Sequence, residues 1–273
     1  AARIEHVYDK PIMSSFHAVW SLGTLLGGGL ASLLLGLAWT PLEHAGMIAC
    51  ILFILVIVCG RWLITEEEPS PEKAPLISIP RGPVLVLGLL AFVAMIAEGA
   101  ATDWSSIFAR NELEATPSQA AAVFTVFALT MTLGRFLGDR LVHHWGPERM
   151  LRYACWVGAA GFMAGLFSEN LDGVMFGFAC LGLGLANTVP ILFSGASRIP
   201  GVNPGVGIAG VATLGYFGFL IGPPLIGTIA EFFGLDHALL LVVLFCTLIA
   251  LNAGRISQGG DSKPENPEPV QGS

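Results

Sequence analysis

Apolar residues fill this chain in eight long runs, at 12–39, 43–64, 82–108, 117–138, 149–168, 171–197, 206–231 and 236–254. Each run is long enough for a helix to cross ~30 Å of hydrocarbon, which takes roughly 20 residues. Lipid offers no partner to backbone N–H and C=O groups, so a spanning segment must close its own hydrogen bonds. The apolar–polar alternation of barrel strands is absent. The pattern predicts an all-α polytopic membrane protein with eight transmembrane helices.

The breaks between runs carry their own chemistry. Pro11 and Ser14, Thr40-Pro41 and Thr116-Pro117-Ser118 suit helix starts. Glu169-Asn170 parts runs five and six, and Pro200-Gly201-Val202-Asn203-Pro204-Gly205 is a turn. Thr65 to Pro75 is acidic and proline-rich, and 257–273 is rich in Gly, Pro, Glu and Ser; both are expected to be disordered. The resulting organisation is a two-helix segment at 1–64, a linker at 65–80, a six-helix bundle at 81–256 and a tail at 257–273.

Composition excludes a soluble domain. The chain is 54% hydrophobic and 12% charged, about half the charge of a soluble protein. Of its 13 lysines and arginines, all but Arg110 fall on one side of the expected membrane. That bias marks the basic side, with both termini of the segment and the linker, as cytoplasmic. The five cysteines lie inside apolar runs without CxxC spacing and read as small packers. The chain opens Ala-Ala-Arg without a signal-peptide pattern and reads as the continuation of a longer polypeptide. No Walker loop, HExxH or nucleophile elbow is present, and His143-His144 beside Trp145 is too sparse for a metal site. The chain is therefore expected not to be an enzyme and to need neither cofactor nor metal. Any transport would be driven by an ion gradient or be facilitated.

Two segments look like copies of one pattern. Gly23 and Gly27 in run one align with Gly218 and Gly222-Pro223 in run seven. Small residues at this spacing let helices approach closely. Run seven lies six spans after run one, so a six-span parallel repeat predicts twelve spans, four of them before residue 1.

The most charged break is Gly134-Arg135-Phe136-Leu137-Gly138-Asp139-Arg140, continuing to Gly146-Pro147-Glu148-Arg149. It reads as a charged turn between runs four and five. With its basic continuation it resembles the cytoplasmic loop signature of the major facilitator superfamily, in the second of that family's two copies. Leu141 through Trp145 depart from the family's shorter, more regular spacing. Lys10-Pro11-Ile12-Met13-Ser14-Ser15-Phe16-His17 and Glu98-Gly99-Ala100 with Asp103-Trp104 resemble a bacterial branch related to fucose permeases. The resemblance implies helices five to twelve of a transporter, with Asp139 set against the helix start at Pro11 to Ser15. Gly134, Arg135, Gly138, Asp139, Arg140 and Arg149 would form a conformational latch, with Arg135 and Arg140 positioning Asp139. A solvated turn that only enforces topology is the alternative.

Candidate substrate and proton groups are the polar residues inside spans. An acid there is costly and should face the protein interior or a cavity. Glu98 is deep in run three toward its outer end, where it suits proton coupling or substrate hydrogen bonding, or else bonds a neighbouring helix. Asp103 lies nearer the outer surface, and Trp104 suits a membrane-edge anchor. His17, early in run one, could assist coupling or simply pack. Asn187, beside the kinking Pro190, could bind a hydroxylated substrate or a neighbouring helix. Tyr216 could line a cavity or pack.

These residues point to a secondary active transporter moving a small, sugar-like solute by alternating access with proton coupling. A drug or metabolite exporter of the same superfamily is one alternative, and a non-transporting membrane scaffold or receptor is another. The expected partners are a small solute, protons and the lipid bilayer, with no nucleic acid. The full-length protein is expected to be a monomer in a bacterial inner membrane.

Overall fold

The structure is a computed structural model that describes residues 1–8, 10–62 and 80–256. The expected linker, apart from Pro80, and the expected tail lie outside the described residues. The chain forms two compact units, Ala1–Ser21 with Ser78–Ser273, and Leu22–Ile77.

The described residues form α1 (Ala2–Tyr8), α2 (Met13–Gly36), α3 (Pro41–Gly60), α4 (Gly82–Glu112), α5 (Pro117–Trp145), α6 (Pro147–Leu166), α7 (Leu171–Leu185), α8 (Thr188–Ala196), α9 (Pro204–Phe233) and α10 (Leu235–Asn252). None of them is in a strand. All eight apolar runs are helical. Six described segments are long and apolar enough to cross a membrane. The other two runs are α2 and α6, and α6 carries Glu148, Arg149 and Arg152 in its first turns.

The starts follow the local chemistry. Thr40 and Thr116 cap α3 and α5 in reciprocal boxes with Glu43 and Gln119, each followed by a proline at the first helical position. Asn170 and Asn203 accept the first free amides of α7 and α9. Two expectations need correction. The charged stretch after Gly138 is not a turn. No proline interrupts it, so α5 continues through Asp139 and His144 and stops only where Gly146 takes a positive φ of 80°. Run six is two helices, parted at Ala186-Asn187, because Pro190 has no N–H for the Ala186 carbonyl.

In the larger unit, α4 lies along α9, α6 along α7, and α10 against α6, α4 and α9. The closest approaches use glycine. Gly218 and Gly222 of α9 face α4, where a Cβ at Gly218 would strike the Phe92 carbonyl and one at Gly222 would sit 3.3 Å from Ile96 Cα. Pro223 and Pro224 lie inside α9, which continues past them to Phe233. By contrast, nothing described lies within 4 Å of a Cβ at Gly23 or Gly27. The expected close packing there has no partner among the described residues. One buried cluster joins Phe108, Phe127, Phe162, Phe178 and Val242, and a second, nearer the arginine-rich end, joins Leu87, Leu151, Ile191 and Ile249. In the smaller unit, α3 exposes Leu52, Phe53, Ile54 and Val56, as suits a helix in lipid.

The α6–α7 seam gives a test. A Cβ at Gly165 would lie 2.6 Å from Gly177 Cα, backbone against backbone, with no side chain able to yield. Gly165→Leu should destabilise the protein by about 2–3 kcal/mol, at the upper end for overpacking. Gly46→Ala, in open space within α3, should be neutral or slightly stabilising. Thermal unfolding in detergent would show the contrast.

Candidate functional site

The site begins with two glycines on α5. A Cβ at Gly134 would lie 2.7 Å from the Ala186 Cβ, and one at Gly138 would fall on Asn187 Oδ1 and 2.8 Å from the Ser14 Cβ. Only bare backbone therefore lets α5 sit against both the α7–α8 break and the start of α2. Asn187 fixes that seat by donating from Nδ2 to the Gly134 carbonyl at 2.9 Å.

Asp139 follows directly. Its Oδ1 accepts the Ser14 N–H at 2.9 Å, and its Oδ2 accepts the Ser15 N–H at 2.9 Å and the Ser15 hydroxyl. These amides belong to the first turn of α2, where helical N–H groups have no internal partner. A carboxylate there also meets the positive end of the helix dipole. The residues expected opposite Asp139 are thus the ones it bonds.

Arg135, one turn earlier, does something else. It is 5% exposed and turned into the bundle. Its Nε donates to the Ala186 carbonyl at 3.1 Å, its Nη1 to the Ser21 hydroxyl at 2.5 Å, and its Nη2 to Glu98 at 3.1 and 3.3 Å. The Ala186 carbonyl is available because Pro190, four residues on, has no N–H to offer it. Arg135 therefore does not position Asp139, contrary to the sequence expectation. Arg140 and Arg149 are exposed and pair with no described residue, whereas Arg152 pairs with Glu148 at 2.7 Å.

Glu98 and Arg135 lie in the wall of a cleft of about 360 Å³. Phe16, Trp20, Phe193, Tyr216 and Phe219 give it aromatic faces, and His17 adds a polar edge. The His17 ring stands edge-on to Phe193 at 5.9 Å. Glu98 is near the middle of α4, because that helix runs to Glu112 rather than ending near 108. The structure thus brings Glu98, His17 and Tyr216 together. It separates two other candidates from them. Asn187 is 1% exposed and bonded to α5, outside the cleft. Asp103 is exposed on α4 and does not line it. Trp104 is no free edge anchor, since its ring lies against Gly227, where an added Cβ would meet it at 3.1 Å, and its indole nitrogen is buried.

Sequence reasoning passed over Ser21 and Glu5. Glu5 is 1% exposed; it accepts the Ile12 N–H at 3.1 Å and the Ser194 hydroxyl at 2.6 Å, and lies 3.6 Å from Arg198. It borders a second cleft, of about 440 Å³, shared with Asp139, His143 and Arg198. An acid outside the apolar runs gives no sequence hint of burial.

The Glu98–Arg135 pair makes a physical prediction. Glu98→Leu strands a buried cation and should cost about 3–5 kcal/mol, whereas Glu98→Leu with Arg135→Met should recover much of that loss. Thermal unfolding of the two variants in detergent would test it.

Comparison with known proteins agrees with this architecture. The chain is 34% identical over 258 residues to an uncharacterised transporter of the MFS type from Yersinia pestis, covering 94% of this chain and 67% of that one. It is 33% identical over 214 residues to membrane protein MosC of Rhizobium meliloti, covering 77% and 53%. The chain thus spans about two thirds of the first relative's length and about half of the second's. In three dimensions it is similar to the E. coli fucose:proton symporter, with a TM-score of 0.73 at 17% identity over 89% of this chain and 67% of that one. The symporter's outward conformation gives 0.72 at 18% identity, over 90% and 68%. The Major Facilitator Superfamily model matches residues 12–203 and 87–272. The chain belongs to the Major Facilitator Superfamily of membrane transporters.

Proposed function

We propose that the protein carrying this chain is a proton-coupled secondary transporter of a small, sugar-like solute, working by alternating access. The observation that carries this reading is the Glu98 carboxylate, held by Arg135 in the wall of an aromatic cleft. A carboxyl inside a membrane bundle is expensive and marks an ion or substrate path. Aromatic faces suit the C–H face of a sugar ring, while Glu98, Arg135 and His17 can meet its hydroxyls. The fucose:proton symporter among the structural neighbours makes fucose a sensible first probe.

Residues 1–64 belong to an N-terminal bundle and 81–256 form the C-terminal bundle, with 65–80 joining them. The arginine-rich end faces the cytoplasm of a bacterial inner membrane, as the basic bias supports. Asp139 on the α2 amides is the latch that holds this end closed. Gly134 and Gly138 allow its approach, while the exposed Arg140 and Arg149 stand at the membrane edge.

Proton flux decides the coupling. In proteoliposomes, substrate added to the complete polypeptide should alkalinise the outside as protons enter with it, and Glu98→Gln should abolish the proton movement. Undiminished proton flux in Glu98→Gln would rule out Glu98 as the coupling group. The latch has its own test. Bonds to a charged acceptor contribute about 1.5–3 kcal/mol net, so Asp139→Asn should raise the population open at the arginine-rich end by roughly tenfold. Spin-label distances across that end would read it, and an unchanged distribution would remove the latch.

A further inference from the structure

The cleft of about 440 Å³ at the arginine-rich end has no part in the transport reading. Its walls come from the start of α2 at Met13, from α5 at Asp139 and His143, and from Arg198 just beyond α8. Glu5 of α1 and Ile256 close its sides.

The charges in this cleft do not balance. Glu5 and Asp139 are two carboxylates, and the guanidinium beside them, Arg198, stands 3.6 Å from Glu5. Each acid also keeps acceptor capacity. A carboxylate offers about four acceptor positions. Described bonds fill three on Asp139 and two on Glu5. The cleft therefore suits one further cation on a short, partly apolar body.

We propose that residues 257–273 return into this cleft, with Lys263 against Glu5 and Asp139, and so strap the start of α2 to α5 and α8. The inference goes beyond the transport reading and adds a second restraint at the end that the latch closes.

The occupant starts in the cleft's own wall. Ile256, the last described residue, lines the cleft, and 257–273 follow it directly. Lys263 is seven residues on, a reach of roughly 23–25 Å when extended. It is the single Lys or Arg in 257–273, which also carry Asp261, Glu265 and Glu268. With Lys263 on the acids, these carboxylates fall toward the exposed Arg140 and Arg149. Pro264 and Pro267 can lie on Met13 and Ile256, and their rings fix φ, so less chain freedom is lost on docking. The linker is no rival, because it enters the larger unit at Pro80, which does not line the cleft. Tethering makes a weak contact sufficient. A short flexible tether gives an effective concentration of about 1 mM, so an intrinsic dissociation constant of about 0.1 mM keeps docked over free at roughly ten to one.

The test uses the complete polypeptide, one copy per lipid nanodisc, which excludes the tail of a second copy. A nitroxide is placed at Ser262→Cys, with the exposed Cys50 and Cys59 changed to Ser. Its slow, docked signal should exceed its fast, free signal roughly tenfold. Lys263→Arg should keep that ratio, and Lys263→Glu should cut it by roughly fivefold. Both changes lie in the tail, so folding of the helices is not at issue. Val142→Trp, which fills the cleft from α5, should also release the label. The peptide 257–273 should bind protein lacking those residues with a dissociation constant of about 0.1 mM, and a scrambled peptide should not. A tail that docks only on the closed form stabilises it by one plus the docking ratio, so removing 257–273 should raise the open-to-closed ratio at the arginine-rich end by roughly tenfold. Spin-label distances across that end would read it. A fast label in the wild type overturns the inference. So does a slow label that neither Lys263→Glu nor Val142→Trp releases, or an unchanged open-to-closed ratio on removing the tail. Loss of solute flux or of proton coupling would instead remove the transport reading and leave the docking in place.

Discussion

The first turn of α2 has amides that its own helix cannot satisfy, and a carboxylate from α5 takes two of them. The described site is arranged around that contact. Asp139 reaches Ser14 and Ser15 only because Gly138 brings the two backbones together. Gly138 stays in place because Asn187, in the gap between α7 and α8, clasps the Gly134 carbonyl. The gap exists because Pro190 cannot continue the helix, and the carbonyl it frees is the one Arg135 uses. One proline thus prepares the seat of the Asp139 contact and orients the arginine that reaches the cleft.

Burial decides which charges matter here. Arg140 and Arg149 are solvated, and their pairing would contribute little even if it formed. Arg135 is buried and Glu98 is largely so, and each depends on the other far more. Glu5, buried against Ser194 and Arg198, is similarly committed at the arginine-rich end. Together with Asp139 on the first turn of α2, these contacts join α1, α2 and the C-terminal helices through charged groups rather than apolar packing. These contacts lie outside the buried cores around Phe162 and Leu151.

Much of this was legible in the sequence. Apolar run length gave the helices, because hydrocarbon imposes one rule on every spanning segment. The family resemblance carried by the Gly-x-x-x-Gly-Asp pattern placed Asp139 against the helix start at Pro11 to Ser15, and Ser14 and Ser15 are the residues it bonds. What failed was direction. A sequence does not say which way Arg135 points, and its place in a charged stretch suggested Asp139 as its partner. For Asn187 the sequence left a substrate and a neighbouring helix open as partners, and the structure supplies the helix, through the Gly134 carbonyl of α5. The length of α5 was missed because charge was read as a stop, when only Gly146 ends the helix. Glu5 was missed because burial outside an apolar run leaves no periodic trace.

Hydrogen exchange at the start of α2 probes the central contact most directly. In the complete polypeptide, the backbone amides of Ser14 and Ser15 should be protected in the wild type. They should exchange at least tenfold faster in Asp139→Asn, while the amides of α6 and α7 keep their protection. Equal exchange at Ser14 and Ser15 in the two proteins would show that Asp139 does not hold α2, and the account built on that contact would fall.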